Sequence, residues 1–328
     1  MKRNLLFWLL AFAVGVVLPC CIFSIAEKAY FVAQSDKIIE TTEDSAHIPI
    51  ETTKPNEDLV LVLTDRGLLE KMDMNTYLTG VLLGELPADF ETETLKAQAI
   101  VARTYAKKRS QTDSKHPMGA VCVISSCCQA YCSPEDYIRK GGNRNTIEKF
   151  ENAVNSTSGM ILTYQNELID ATYFSCSGGR TEDALAVWGT DVPYLQSVDS
   201  PGEEEAVHYA DQIQMSLNEF GTRLGVELAG APVSWLGKVS YTPGGGVETM
   251  VIGGVIFRGV ELRQKLNLYS TAFSIIPVGE TVHIYTKGFG HRVGMSQYGA
   301  DAMAACGNNY QEILAHYYHG TTLNSYLD

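Results

Sequence analysis

Positive charge is in short supply. Lys and Arg number 25 against 38 Asp and Glu, a net charge of −13 with no basic patch, which argues against a nucleic-acid partner. Cysteine is sparse and uneven: of eight, Cys20 and Cys21 sit in an apolar run, and Cys122, Cys127, Cys128 and Cys132 fall within eleven residues. A disulfide framework spreads its cysteines, so this cluster points to metal or local chemistry instead. There is no internal repeat and no H-E-x-x-H of a zinc peptidase. The glycine-rich "GFGHRVGMSQYGA" (288–300) lacks the lysine of a P-loop, which excludes a phosphate cradle of that kind.

Long apolar runs are lacking but for one. Lys2 and Arg3 precede an uncharged stretch from Asn4 to Ala26, closed by Glu27 and Lys28. It is long enough to cross a bilayer and long for a signal peptide, though "FSIAE" offers a weak cleavage site. The reading is a transmembrane anchor over 1–31, with a cytoplasmic tip and the rest of the chain outside the cell membrane. Pro19 fits poorly before a lipidated cysteine, so Cys20 is a weak lipoprotein site. Residues 32–58 are acidic and aperiodic, as expected of a disordered stalk. Residues 59–328 hold the folded part, as one large or two intimate domains; with 45% of the sequence apolar, a sizeable core is affordable.

Periodicity predicts a strand at "LVLVL" (59–63) and a helix over 74–85 stopped by Pro87. A second helix follows, with Glu91 and Glu93 in its first turn and Lys107, Lys108 and Arg109 in its last. Residues 110–146 read as loop, then a short helix ends near 159. "MILTYQNELIDATYFSC" reads as strand, turn at Gln165–Asn166, and strand. Residues 209–225 read as a helix. From 234 to 286 short strands alternate with glycine turns around one helix near "GVELRQKLNL", and two helices close the chain near 295–306 and 310–318. The fold class is α+β, with helices packed on a mainly antiparallel sheet.

Glu85 stands alone in the apolar "VLLGELP" (81–87). On a helix it shares a face with Leu78, Val81 and Leu82, so it loses water, its pKa rises, and it can serve as a general acid. A helix-end glutamate in a surface ion pair fits the same residues. Lys96 and Arg103, seven apart, either line a groove for an N-acetyl, lactyl or carboxylate group or form a solvated face. Tyr173, Ser175 and Ser177 beside Gly178–Gly179 suit sugar binding, although turn chemistry alone explains the glycines. Strand alternation turns Cys176 to the opposite face, into the core. His116, Cys122, Cys127 and Cys128 form H-x5-C-x4-C-C, a Cys3His set for closed, structural zinc (Zn2+), with Cys132 an alternative ligand. A disulfide or free thiols are the other readings, and the adjacent pair needs a bent backbone.

"YLTGVLLGELPADFETETLKAQAIVARTYA" resembles the start of the SpoIID/LytB family. "CCQAY", "ATYFSCSGGRTEDALAVWG", "PYLQSVDSP", "FRGVELRQKLNLYSTAFSI" and "GFGHRVGMSQYGA" follow in the family's order, covering roughly 59–320. The resemblance implies a SpoIID-like fold and a peptidoglycan lytic transglycosylase that acts on stem-peptide-free glycan strands during engulfment in sporulation. Glu85 is the implied acid, and no second carboxylate in these motifs has a claim. It also implies that His291, Ser296, Gln297 and Tyr298 face the groove. Arg292 replaces a glycine common there, which leaves the local loop conformation open. The residue before "CQ" is often histidine in relatives, so Cys127 preserves a ligand. The implied partners are the membrane and a peptidoglycan amidase, stage II sporulation protein P, in the space between mother cell and forespore. Two rivals stand beside this reading: a non-catalytic wall-binding module that stimulates an amidase, and a zinc amidase.

Overall fold

Helix α1 (Met74–Glu85) begins where Asp73 accepts the Thr76 N–H at 2.9 Å and ends one residue after Gly84. Leu86 is already extended (φ −119°, ψ 145°), as a residue before proline must be. The computed structural model describes residues 58–111 and 115–327. The expected anchor and stalk, including Cys20 and Cys21, lie outside the described residues, apart from Asp58. Among the described residues no helix is long and apolar enough to cross a membrane.

Among the described residues, three apolar clusters organise 58–327. The first joins α1 to helices α2 (Thr92–Ser110) and α4 (Arg144–Ser156), with Leu78, Val81 and Leu82 fully buried. The second packs the other side of α2, through Ile100 and Val101, against strand Met160–Tyr164 and the helix Tyr310–Tyr317. The third fills residues 213–284, where strand Thr281–Lys287 pairs with both Ala210–Ser216 and Ala272–Val278. Because α2 is covered on both sides, Leu95 to Ala106 form an almost continuously buried stretch broken only at Lys96.

The α+β class holds, with two corrections. Among the described residues six small sheets replace one mainly antiparallel sheet, and two of their pairings are parallel: Leu59–Leu63 with Val121–Cys122, and Tyr173–Phe174 with Met295–Ser296. The helix expected over 209–225 is a strand, Ala210–Ser216, followed by a short helix, Leu217–Leu224. Its first half alternates in burial with period two, and Ser216 caps the helix through the Glu219 N–H. The loop expected over 110–146 also contains helix α3 (Pro134–Arg139), too short to show a period and signalled by the Ser133–Pro134 cap. Strand Leu59–Leu63, the Gln165–Asn166 turn with φ of 52° and 64°, and the C-terminal helices Gln297–Ala305 and Tyr310–Tyr317 stand where expected.

Arg103 is not on a groove. It is 0% exposed, and its guanidinium donates to the carbonyls of Thr157 at 2.7 Å and of Val154 and Met160, each at 3.3 Å. It therefore caps the C-terminus of α4, where carbonyls lack helical partners and the dipole favours a cation. Burial lowers its pKa to about 10, still charged at neutral pH. Arg103→Leu is expected to cost roughly 2–4 kcal/mol of stability, since it orphans buried carbonyls. Chemical denaturation checks this; an unchanged midpoint with lost ligand binding would restore the groove reading.

Candidate functional site: a carboxyl at a cavity wall

Gly80 and Gly84 make a bare stripe on α1. A Cβ at Gly80 would stand 2.1 Å from the Tyr131 ring, and one at Gly84 would stand 2.8 Å from the Tyr131 backbone nitrogen. The chain 129–132 lies on that stripe, tied by Cys132 N–H to Gly80 O at 2.9 Å. It thereby presents the Ala130 N–H to Glu85 Oε1 at 2.5 Å. From the other side, the parallel pairing with Met295–Ser296 fixes Tyr173, whose hydroxyl donates to the same oxygen at 3.0 Å. Gln129 donates to the Tyr173 hydroxyl at 3.3 Å and accepts from Tyr77 at 3.0 Å, so a relay of Tyr77, Gln129 and Tyr173 holds one carboxyl oxygen. Oε2 has no hydrogen-bond partner and is not buried, among the described residues.

Glu85 is half-buried and lines a cavity of about 610 Å³. Burial raises its pKa, and Ala130, Tyr173 and the Gln297 side chain pull the other way without cancelling the rise. Gln297 is too poorly aligned for a full hydrogen bond; its buried Nε2 has no partner. Among the described residues no other Asp or Glu lines this cavity.

The expected binding residues divide. Tyr173, Ser175, His291 and Gln297 line the cavity. Lys96, Arg103, Ser177, Ser296 and Tyr298 do not. Lys96 pairs with Glu93 at 2.6 Å, and Glu93 accepts the Tyr310 N–H at 2.9 Å, so together they tie the C-terminal helix to α2. Ser177 and Ser296 are fully buried because both donate to Glu203, at 2.8 and 2.6 Å, with Ser200 a third hydroxyl donor. Tyr298 packs edge-on against Phe90 at 5.0 Å. Cys176 is in the core as expected, but Ser177 joins it there, since the strand spans only Tyr173–Phe174 and alternation stops.

His291 is wedged between Phe174 and Trp188, and its Nδ1 accepts the Val293 N–H at 3.1 Å. Burial, aided by the Arg263 charge and opposed by the Tyr173 carbonyl, lowers its pKa to about 4. It is neutral at neutral pH and carries no proton-shuttling role there. Arg292 answers the question its substitution raised: it takes the left-handed φ of 66° itself. Its buried guanidinium donates to Ser177 O (2.7 Å), Arg180 O (2.7 Å), Gly244 O (2.8 Å) and Glu182 Oε1 (3.2 Å), which offsets a strain of about 1–2 kcal/mol.

His116, Cys122, Cys127 and Cys128 do converge: their donor atoms lie within 4.8 Å of one another, with Cys127 Sγ 3.3 Å from His116 Nε2. The N–H groups of Cys127 and Cys128 both donate to Ile124 O, at 2.9 and 2.8 Å, and that turn points neighbouring thiols the same way. Tetrahedral zinc needs donor separations of about 3.3–3.8 Å, a modest contraction, so the residues fit the ion. Cys132 is outside the set, buried in the first apolar cluster. Cys127 and Cys128 also line the Glu85 cavity. Sequence reasoning missed Tyr77, Gln129 and the Ala130 N–H as site groups, and Glu203 as the tie behind the serines. Gln129 within "CCQAY" was the one available signal.

One acid, fixed through one oxygen and open through the other, at the wall of a ligand-sized cleft in an α+β frame, defines an acid-centred site. The family profile described as "Stage II sporulation protein" (SpoIID) matches residues 64–164. Stage II sporulation protein D of Bacillus subtilis (strain 168) is 39% identical over 261 residues, 78% of this chain and 76% of that protein. Its counterpart from Bacillus amyloliquefaciens is 39% identical over 266 residues, 80% and 77% of the two chains. An amidase enhancer of Bacillus subtilis is 29% identical over 305 residues, 76% of this chain but 40% of that protein. The chain belongs to the SpoIID family.

The raised pKa of Glu85 carries a stability consequence. The folded state binds this proton more tightly than the unfolded chain, so stability falls as pH rises from about 4.3, the unfolded value, to the higher folded value. Glu85→Gln keeps an acceptor for Ala130 and Tyr173 and removes that loss. Its melting temperature is expected to exceed wild type increasingly across this window and level off above it. A gap independent of pH would contradict the raised pKa.

Proposed function

We propose that the protein is a peptidoglycan lytic transglycosylase that cleaves the bond between N-acetylmuramic acid and N-acetylglucosamine in stem-free glycan strands. The observation that carries this reading is the carboxyl at the cavity wall, the only one there among the described residues, with a raised pKa and one free oxygen. Oε1 already accepts two donors, so the acidic proton sits on Oε2. From there it passes to the glycosidic oxygen as the C1–O bond breaks. The muramyl C6 hydroxyl then bonds to C1, and its proton returns to Glu85. The product is a 1,6-anhydro sugar, and the enzyme is regenerated. Hydrolysis by the usual route needs a second carboxyl for water or a covalent intermediate. An attacking hydroxyl already on the substrate needs neither, because its effective concentration is high.

His116, Cys122, Cys127 and Cys128 would hold a zinc ion, which would supply a structural cross-link with protein in all four positions. It would brace the chain that leads into Ala130 and leave the proton transfers to Glu85, which sets this reading apart from a zinc amidase. The family membership and the relatives' names support a role in sporulation. Action outside the membrane during engulfment, beside the amidase stage II sporulation protein P, extends that reading. A second reading, stimulation of an amidase without glycan cleavage, draws on the relative named amidase enhancer.

Mass spectrometry of products from stem-free strands separates the two. Wild type is expected to give anhydro-muramyl ends and Glu85→Gln to lose at least about a thousandfold in rate, as expected when a general acid goes. Binding without products, with an amidase accelerated, would favour the second reading. For the metal, one zinc per chain by elemental analysis is expected, with a lower melting temperature after chelation or in Cys122→Ser. A melting temperature indifferent to chelator would remove zinc from the structure.

A further inference from the structure

A second cavity, of about 710 Å³, lies across the chain 123–131 from the first and shares Gly84, Ser125 and Ala130 with it. Ala130, whose N–H holds Glu85, belongs to that shared wall, while Glu85 itself lines only the first cavity. A strand of sugars whose scissile bond lies at Glu85 must occupy space on both sides of that bond. Tyr131, Tyr137 and Lys140 form part of its wall. Gly142 lets the chain close on Tyr137; a Cβ there would stand 2.1 Å from the ring.

Four basic side chains bear on the question of charge. Arg103 is buried beneath α4, and the two cations of the first cavity are engaged. Arg109 pairs with Asp170 at 3.2 Å, and Lys115 binds the Cys127 carbonyl beside the cysteine cluster. Lys140 differs. Its ammonium has one contact among the described residues, Cys132 Sγ at 3.6 Å, and no carboxylate within pairing distance.

We infer that the second cavity is a muramyl subsite in which Lys140 binds the lactyl carboxylate that stem removal exposes. The inference rests on the glycan-strand reading above. A stem peptide converts that carboxylate to an amide, which removes its charge and adds bulk at the cavity wall. Lys140 therefore distinguishes stem-free from stem-bearing strands by charge, while Tyr131 and Tyr137 offer ring surface to the sugar.

The test measures binding by the full chain carrying Glu85→Gln, so that turnover does not intervene. The probes are stem-free strands and the same strands with lactyl carboxylates capped as methyl amides. Free carboxylates are expected to bind about tenfold tighter, a charge-assisted contact of ordinary size, with the ratio shrinking as salt rises. Lys140→Gln is expected to bring the ratio to about one, and Lys140→Arg to keep most of it. Because Lys140 is exposed, an unchanged melting temperature verifies that the variant is folded. A preference that survives Lys140→Gln, or no preference at all, overturns the assignment while leaving the glycan reading intact. Failure to bind either strand overturns both.

Discussion

The closeness of the 129–132 chain to α1 is the constraint on which the site depends. Two glycines four residues apart leave one side of the helix without side chains, and a backbone segment settles there at a distance no alanine would allow. Glycine inside a helix costs about 1 kcal/mol relative to alanine, so the helix is weakened where the site needs it to be narrow. What the close approach yields is an N–H aimed at Glu85. With Tyr173 on the same oxygen, the carboxyl loses rotational freedom and keeps one oxygen for the cavity. Burial then raises its proton affinity.

Around that centre, polar groups that look like surface in the sequence work inside. Arg103 satisfies the end of α4, and Glu203 gathers Ser177, Ser200 and Ser296. Arg292 ties the segments of Ser177, Arg180 and Gly244 together. Each is a charged group whose desolvation is compensated by several hydrogen bonds, the condition under which a buried charge is tolerated. They fix Ser175 and His291 indirectly, because the backbone they hold is the backbone that lines the cavity. The Cys3His cluster acts on the same chain from the other end: its turn at 124–128 runs straight into Gln129 and Ala130.

The cations matter by position and not by count. Lys96 and Arg103 share a helical face, as their spacing requires, yet that face points into protein. Helix α2 is central, and a helix covered on both sides has no solvated stripe. The basic groups that reach the cavities come instead from the end of α2, the loop after it, and the end of α3.

Much was legible in the sequence for reasons that are local. Pro87 ends α1 through its own geometry, and Gln165–Asn166 makes a hairpin turn because asparagine and its neighbour accept positive φ. Glu85 was singled out by its apolar neighbours three, four and seven residues back, and the Cys3His spacing placed four ligands in one loop. The parts that were not legible depend on what lies opposite a residue. Ser177 and Ser296 resembled groove hydroxyls, but Glu203 lies between them and accepts from both. Residues 210–216 resembled a helix because period two and period 3.6 overlap in a short mixed window, and only the partner strand Thr281–Lys287 decides between them. The sequence by itself determined which residues are apolar, where the chain must turn, and which side chains carry the chemistry. Tertiary structure alone decided which polar groups meet water, because that depends on segments far apart in the chain closing over one another.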